Sequence, residues 1–121
     1  MPSLSVHEIK AFVPAKDFAL SKQFYQDLGF TMASDGGGIA YFHFDDASFL
    51  LQDFCAANFA ENFMMHLLVD DVDAWWQQVQ ASGIIEKYQV QCTPVVLQAW
   101  RMRDFCLYDP SGVIWRIAQN C

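Results

Sequence analysis

The sequence predicts an α+β domain made of two tandem βαβββ modules, and three observations predict it. A strand–Asp–helix–Gly unit occurs twice, a strand–turn–strand unit closes each copy, and strands outnumber helices. Strands in excess, with one helix laid on each sheet, mark the α+β class rather than a doubly wound parallel fold. The 121 residues suit a single domain, 1–121, with modules of approximately 1–56 and 60–121.

The elements follow in order. Ser5–Val13 reads as the first strand. Val13–Phe30, VPAKDFALSKQFYQDLGF, returns fifty-four residues later as Leu67–Ile84, LLVDDVDAWWQQVQASGI, so that Asp17 meets Asp71 and Gly29 meets Gly83. Helices are expected over Phe18–Leu28 and Val72–Ser82. Asp17 and Asp71 can cap first-turn N–H groups, and the glycines can supply the left-handed terminating residue. Phe18, Ser21, Phe24, Tyr25 and Leu28 share one helical face, as do Val72, Trp75, Val79 and Ser82. Trp75 therefore belongs to the core, whereas Trp76, about 100° round the helix, is left to face a partner.

Phe30–Ser34, Ile39–Phe44 and Phe49–Phe54 complete the first half, with a glycine turn at Asp35–Gly38 that lacks the GK[ST] of a phosphate loop. Phe54–Asn62 connects the halves. Strands near Phe63–Val69, Val90–Val96, Asp104–Tyr108 and Val113–Ala118 complete the second. Phe44–Phe54 returns sixty-four residues later as Tyr108–Ala118, so that Asp45 meets Asp109 and Gln52 meets Arg116. Asp109–Gly112, reading DPSG, is the clearer turn. The offset grows from fifty-four to sixty-four, which places an insertion in Ile85–Trp100.

Composition narrows the function classes. The chain is 54% hydrophobic and 16% aromatic, ample for a packed core. A net charge of −7, from 14 acidic and 7 basic residues, repels phosphate backbones and argues against a nucleic-acid partner. The same charge attracts cationic small molecules. No apolar stretch reaches the roughly 20 residues of a spanning helix, so no membrane partner is expected. Met1–Val13 carries Glu8 and Lys10 without a long apolar run and does not read as a signal peptide. Cys55, Cys92, Cys106 and Cys121 form no CxxC pair and match no zinc spacing. They read as small reduced core residues of a cytoplasmic protein.

The stretches KDFALSKQFYQDLGF at Lys16–Phe30, LLVDDVDAWWQQVQASG at Leu67–Gly83 and AWRMRDFCLYDPSGVIWRIAQ at Ala99–Gln119 cover well over a third of the chain. In this layout the chain resembles the glyoxalase/bleomycin resistance protein/dioxygenase (vicinal oxygen chelate) superfamily, and is most similar to its bleomycin-resistance-like branch. That branch carries a Trp-Gly pair before the strand and the Asp-Pro-x-Gly turn. Here Arg101 follows Trp100, which bears on the shape of the loop. The resemblance implies two modules curled into half-open sheets around a cavity. In the enzymatic branches the cavity holds a divalent metal on the first and last strands of each module.

The repeat puts those points at Lys10 and Met64 on the first strands and at Gln52 and Arg116 on the last. Lysine and arginine offer no lone pair, methionine is soft, and glutamine has one neutral oxygen. No metal site and no cofactor are expected. A metal centre from His7, His43 and His66 is the alternative, and it requires different strand registers. Without a metal, a partly apolar groove remains, the usual form of a small-molecule site. Its candidate lining is Lys10, Phe12, Phe42, Gln52, Met64, His66, Trp100, Arg103 and Arg116. Trp100 can stack on a planar aromatic or cationic ligand, or serve as a hydrophobic plug over the sheet edge. Arg116 and Lys10 can hold a carboxylate or phosphate, or Arg116 can pair with Asp53, Glu86 or another acid. Trp115, of opposite parity, is expected in the core.

Two function classes follow from the resemblance. The first is a drug- or antibiotic-binding protein without catalysis, a homodimer with its ligand groove at the interface. The second is a glyoxalase- or lyase-type enzyme, metal-dependent or using Lys10 or His66 as a base. No GxSxG, HExxH or Cys/His signature supplies a catalytic set.

Overall fold

A computed structural model describes residues 4–54 and 60–121. Cys55 and the middle of the expected connector lie outside the described residues. Among the described residues eight strands form two four-stranded sheets. The first holds β1 (Phe12–Ala15), β2 (Thr31–Gly36), β3 (Ile39–Phe44) and β4 (Ala47–Asp53), in the order β1-β4-β3-β2. The second holds β5 (Met64–Leu68), β6 (Val96–Leu97), β7 (Met102–Tyr108) and β8 (Ile114–Asn120), in the order β5-β8-β7-β6. β1 runs parallel to β4 and β5 parallel to β8, and the other pairs are antiparallel. Each half also carries one long helix, α1 (Phe18–Leu28) or α2 (Val72–Ala81), and the second half adds the short α3 (Ile84–Tyr88).

The caps form as the repeat requires. Asp17 accepts from the Leu20 N–H at 3.1 Å and Asp71 from the Ala74 N–H at 3.0 Å. Gly29 ends α1 at φ 118°, and Gly83 at φ 75° separates α2 from α3. Gly37 and Gly38, both at positive φ, make the two-residue hairpin between β2 and β3.

The buried faces of both sheets meet in one aromatic core. Phe49 and Trp115 lie 5.1 Å apart, and Tyr25 of α1 touches Phe42, Phe49 and Trp115. Ser21, Phe24, Tyr25 and Leu28 are the buried face of α1, as expected, and Val72 and Val79 that of α2. Trp115 is also in the core, as its parity requires.

Three expectations are corrected. The first strand is Phe12–Ala15 rather than Ser5–Val13. The ladder begins only at Ala11, whose carbonyl accepts from the Leu50 N–H, and before it Glu8 accepts from Tyr41 Oη at 2.9 Å and Ser48 Oγ at 2.6 Å. These bonds hold the Glu8 carboxyl below the usual carboxylate range, Ser48 contributing most. The expected strand Val90–Val96 shrinks to Val96–Leu97 plus one bridge from Cys92 to Leu107, because Pro94 has no N–H to donate. The insertion region contains α3, which no periodicity announced. The half-buried Trp76 donates its indole N–H to the Thr93 carbonyl at 3.0 Å and fastens the insertion to α2.

α3 is tied to α1 through Asp27, which accepts from Lys87 Nζ at 2.6 Å and from the Tyr88 hydroxyl. Lys87 first, then Tyr88, pull the Asp27 carboxyl below its ordinary value. A lowered folded-state value means that this tether is present above the ordinary aspartate range and is lost as pH falls through the lowered value. Asp27→Asn should cost no more than about 1 kcal/mol, because the pair is exposed. It should speed hydrogen exchange in α3 while leaving β3 and β4 unchanged; unchanged α3 exchange would remove the tether from the account.

Candidate ligand-binding site

Alternation along each strand leaves one face of each sheet outside the core. On β4, Phe49 and Leu51 are buried while Leu50 and Gln52 are half-buried on the other face. On β5 and β8, Met64, His66, Ile114 and Arg116 occupy the same kind of face. The buried faces share one core, so the two open faces look outward from it.

The open face of the second sheet carries the more developed site. His66 and Arg116 are ladder partners, and Arg116 also pairs with Cys106 on its other side. Arg116 Nη1 donates to Asp104 Oδ2 at 2.9 Å, and Gln98 Nε2 donates to Asp104 Oδ1 at 2.9 Å. Asp104 is only 2% exposed, so the guanidinium is held by a buried anion. Hydrogen bonding to Asp104 pushes the Arg116 pKa up, which keeps it a fixed cation. The same face carries exposed apolar side chains, Met64 and Leu68 of β5 and Val96 opposite Asp104, whereas Leu97, opposite Arg103, points the other way. Trp100 sits at the tip of the β6–β7 turn, which is closed by the Gln98 N–H to the Met102 carbonyl at 2.7 Å. Arg101 follows at φ 64°, a left-handed position that glycine fills without strain.

The other expected site residues are dispersed. Phe42 is fully buried against Tyr25 and Phe49, so it lines no open surface. Arg103 points to the opposite face from Asp104 and grips Asp73 of α2 with two bonds, of 2.6 and 2.9 Å. Lys10 precedes β1, pairs with Glu8 at 3.3 Å and lies over the Tyr41 ring. Gln52 lies on the open face of the first sheet, opposite Pro14. Phe12, opposite Leu50 on the same strand pair, is half-exposed.

The repeat is also two residues out of step. Gln52 lies opposite Pro14, whereas Arg116 lies opposite His66. If Gln52 matches Arg116, then Pro14 matches His66 and Phe12, not Lys10, matches Met64. An even slip keeps each side chain on its face.

Asp104, Gln98 and Cys106 were missed by sequence reasoning. A signal for two of them existed: the DPSG turn fixes Cys106 opposite Arg116, and period two then puts Asp104, not Arg103, on that face.

The donor set does not fit a divalent ion. Two of the four positions named from the repeat are cations already bound to carboxylates, and the others are a thioether and an amide. The three histidines also separate: His7 and His43 line one cavity and His66 another. Among the described residues no three His, Cys, Asp or Glu side chains are grouped to hold a metal. Cys92, Cys106 and Cys121 are free thiols, and burial pushes those of Cys92 and Cys106 up, away from the reactive thiolate.

Comparisons with known proteins agree with this fold. The family model described as Glyoxalase/Bleomycin resistance protein/Dioxygenase superfamily matches residues 6–117. No curated protein matches. Among solved structures, a bleomycin-binding protein complexed with bleomycin is 22% identical, with 96% of this chain and 100% of that one covered at a TM-score of 0.81. An antibiotic-binding protein from Streptomyces sp. CB03234 is 23% identical, with 99% and 100% covered at a TM-score of 0.78. A lactoylglutathione lyase from Agrobacterium tumefaciens is 16% identical, with 98% and 95% covered at a TM-score of 0.67. At these identities the likeness establishes the fold. No helix among the described residues is long and apolar enough to cross a membrane.

Proposed function

Since this chain belongs to the glyoxalase/bleomycin resistance protein/dioxygenase superfamily, we propose that it is a small-molecule-binding protein of the drug- or antibiotic-sequestering kind. It works without a metal and holds its ligand in a groove completed by a second copy of itself. The observation that carries this reading is the open face of the second sheet. A fixed guanidinium lies there among exposed apolar side chains, and that face turns away from the chain's own core. Ligand sites are usually such apolar surfaces with few oriented polar groups. A two-fold assembly would set this face against the first sheet of the partner and cover exposed strand edges.

An enzyme using Lys10 or His66 has less support. Lys10 is committed to Glu8, and no hydrogen-bond partner orients His66 among the described residues. The likeness to a bleomycin-binding protein and to an antibiotic-binding protein favours sequestration, and the cytoplasm suits the free thiols.

A thermal-shift screen of cationic, anionic and planar aromatic compounds tests the reading. A true ligand at a hundred times its Kd adds about 2.7 kcal/mol of apparent stability. Trp100→Ala should abolish the shift without changing the unliganded melting temperature by more than a degree or so, as the side chain is 59% exposed. An undiminished shift would remove Trp100 from the site. A protein that sediments as a monomer with ligand bound would end the groove reading.

A further inference from the structure

The ladder of the second sheet sets one guanidinium in the middle of the open face. Arg116 lies between His66 on β5 and Cys106 on β7. The open-face rung on one side of it holds Met64, Ile114 and Tyr108, and the rung on the other side holds Asp104, the one acid of the three rungs. Asp104 is fully engaged: its two oxygens accept from Gln98 and Arg116, and the residue is 2% exposed.

Arg116 is only partly engaged. A guanidinium carries five N–H donors. Among the described residues this one makes a single hydrogen bond, from Nη1 to Asp104. The other donors are unused, on a side chain that is 25% exposed. The bond to Asp104, itself braced by Gln98, fixes the direction in which those donors point.

We infer that the ligand of this face is a carboxylic acid with a compact apolar body, its carboxylate paired with the unused N–H groups of Arg116. This ligand class presupposes that the open face is the binding site proposed above, and adds the sign of the ligand's charge. A carboxylate makes two parallel charge-assisted bonds to a guanidinium, each roughly twice as strong as a neutral one. An uncharged amide makes only the weaker kind. A cation meets a fixed positive group and finds the one nearby acid buried and doubly bonded. Asp104 cancels much of the guanidinium's field at a distance, and the net charge of −7 opposes an approaching anion. Selection therefore happens at contact, through the planar fork of the guanidinium. Met64 and Ile114, on the neighbouring rung, offer the apolar body its surface.

Calorimetry with 2-naphthoate, 2-naphthamide and 2-naphthylmethylammonium, which share one ring system, tests the ligand class. NMR of the Met64 and Ile114 methyl groups and of the Arg116 Nε–H locates each probe. The acid should bind at least tenfold more tightly than the amide and shift all three signals, and the ammonium compound should not bind. Arg116→Lys keeps a cation for Asp104 without the fork, and should weaken the acid at least tenfold. Asp104→Asn leaves the guanidinium uncompensated and should tighten the acid at least threefold, a gain that loss of structure cannot produce. Equal affinity for acid and amide, indifference of the acid to Arg116→Lys, or weaker binding in Asp104→Asn would overturn the ligand class. An amide or ammonium compound that binds best and still moves Met64 and Ile114 would overturn the class alone and keep the face as the site. An acid that fails to bind would overturn the class, and one that binds without moving those signals would overturn both.

Discussion

Asp109→Ala is expected to cost about 3 kcal/mol and to lower the melting temperature by roughly 10 °C, because it strands several buried donors at once. Asp109 Oδ1 accepts from the Ser111 and Val113 N–H groups, both at 2.9 Å. Its Oδ2 accepts from the Tyr25 hydroxyl at 2.6 Å, and that hydroxyl accepts from the Trp115 indole at 2.8 Å. Next to it the Ser111 hydroxyl accepts from the Lys16 N–H at 2.9 Å and lies 3.4 Å from Ser21 Oγ. A turn in the second module thus locks onto the first helix of the first module.

The charge on Asp109 is itself a burden. Burial pushes its carboxyl above the ordinary aspartate value, although Tyr25 and the turn N–H groups pull the other way. A raised folded-state value means that the folded chain binds the proton more tightly than the unfolded one. Stability should therefore decline as pH rises from the ordinary aspartate value through the raised one. Asp109→Asn keeps an acceptor for the two N–H groups and should cost only about 1–2 kcal/mol at neutral pH. Its denaturation curves should lack that decline. Parent stability that climbs relative to Asp109→Asn over this interval would show that the donors outweigh burial.

Arg116→Met should cost about 3 kcal/mol, since it leaves a nearly inaccessible carboxylate with only Gln98. Asp104→Leu combined with Arg116→Met should recover most of the loss, because a buried ion pair replaced by packed apolar groups is often close to neutral. The four-member cycle in urea gives the coupling between the two residues. Under the proposed function the double variant folds yet loses any ligand held through the guanidinium, which separates its structural role from its binding role. Additive losses would mean that Asp104 is satisfied without Arg116.

Residue by residue, the legible and the illegible divide on physical lines. Asp17, Asp71, Gly29 and Gly83 were readable because capping is local: the residue acts on its own turn. Tyr25, Leu28, Val72, Val79 and Trp115 were readable because burial follows period. Arg103 was misplaced for want of that same period, and Phe42 because an aromatic on a strand does not announce which face is inside. Trp76 and α3 were unreadable, since a contact to the Thr93 carbonyl and a single turn of helix have no repeat to betray them.

Taken alone, the amino-acid order determined the duplicated α+β plan, the two helices with their ends, the DPSG turn and the poor metal chemistry of Lys10, Gln52, Met64 and Arg116. Those properties depend on neighbours in the chain or on side-chain identity. Tertiary structure decided the rest: that both sheets turn their buried faces to one core and their open faces outward, and that Asp104 claims Arg116. Each of these depends on how segments far apart in sequence come together, which no local pattern encodes.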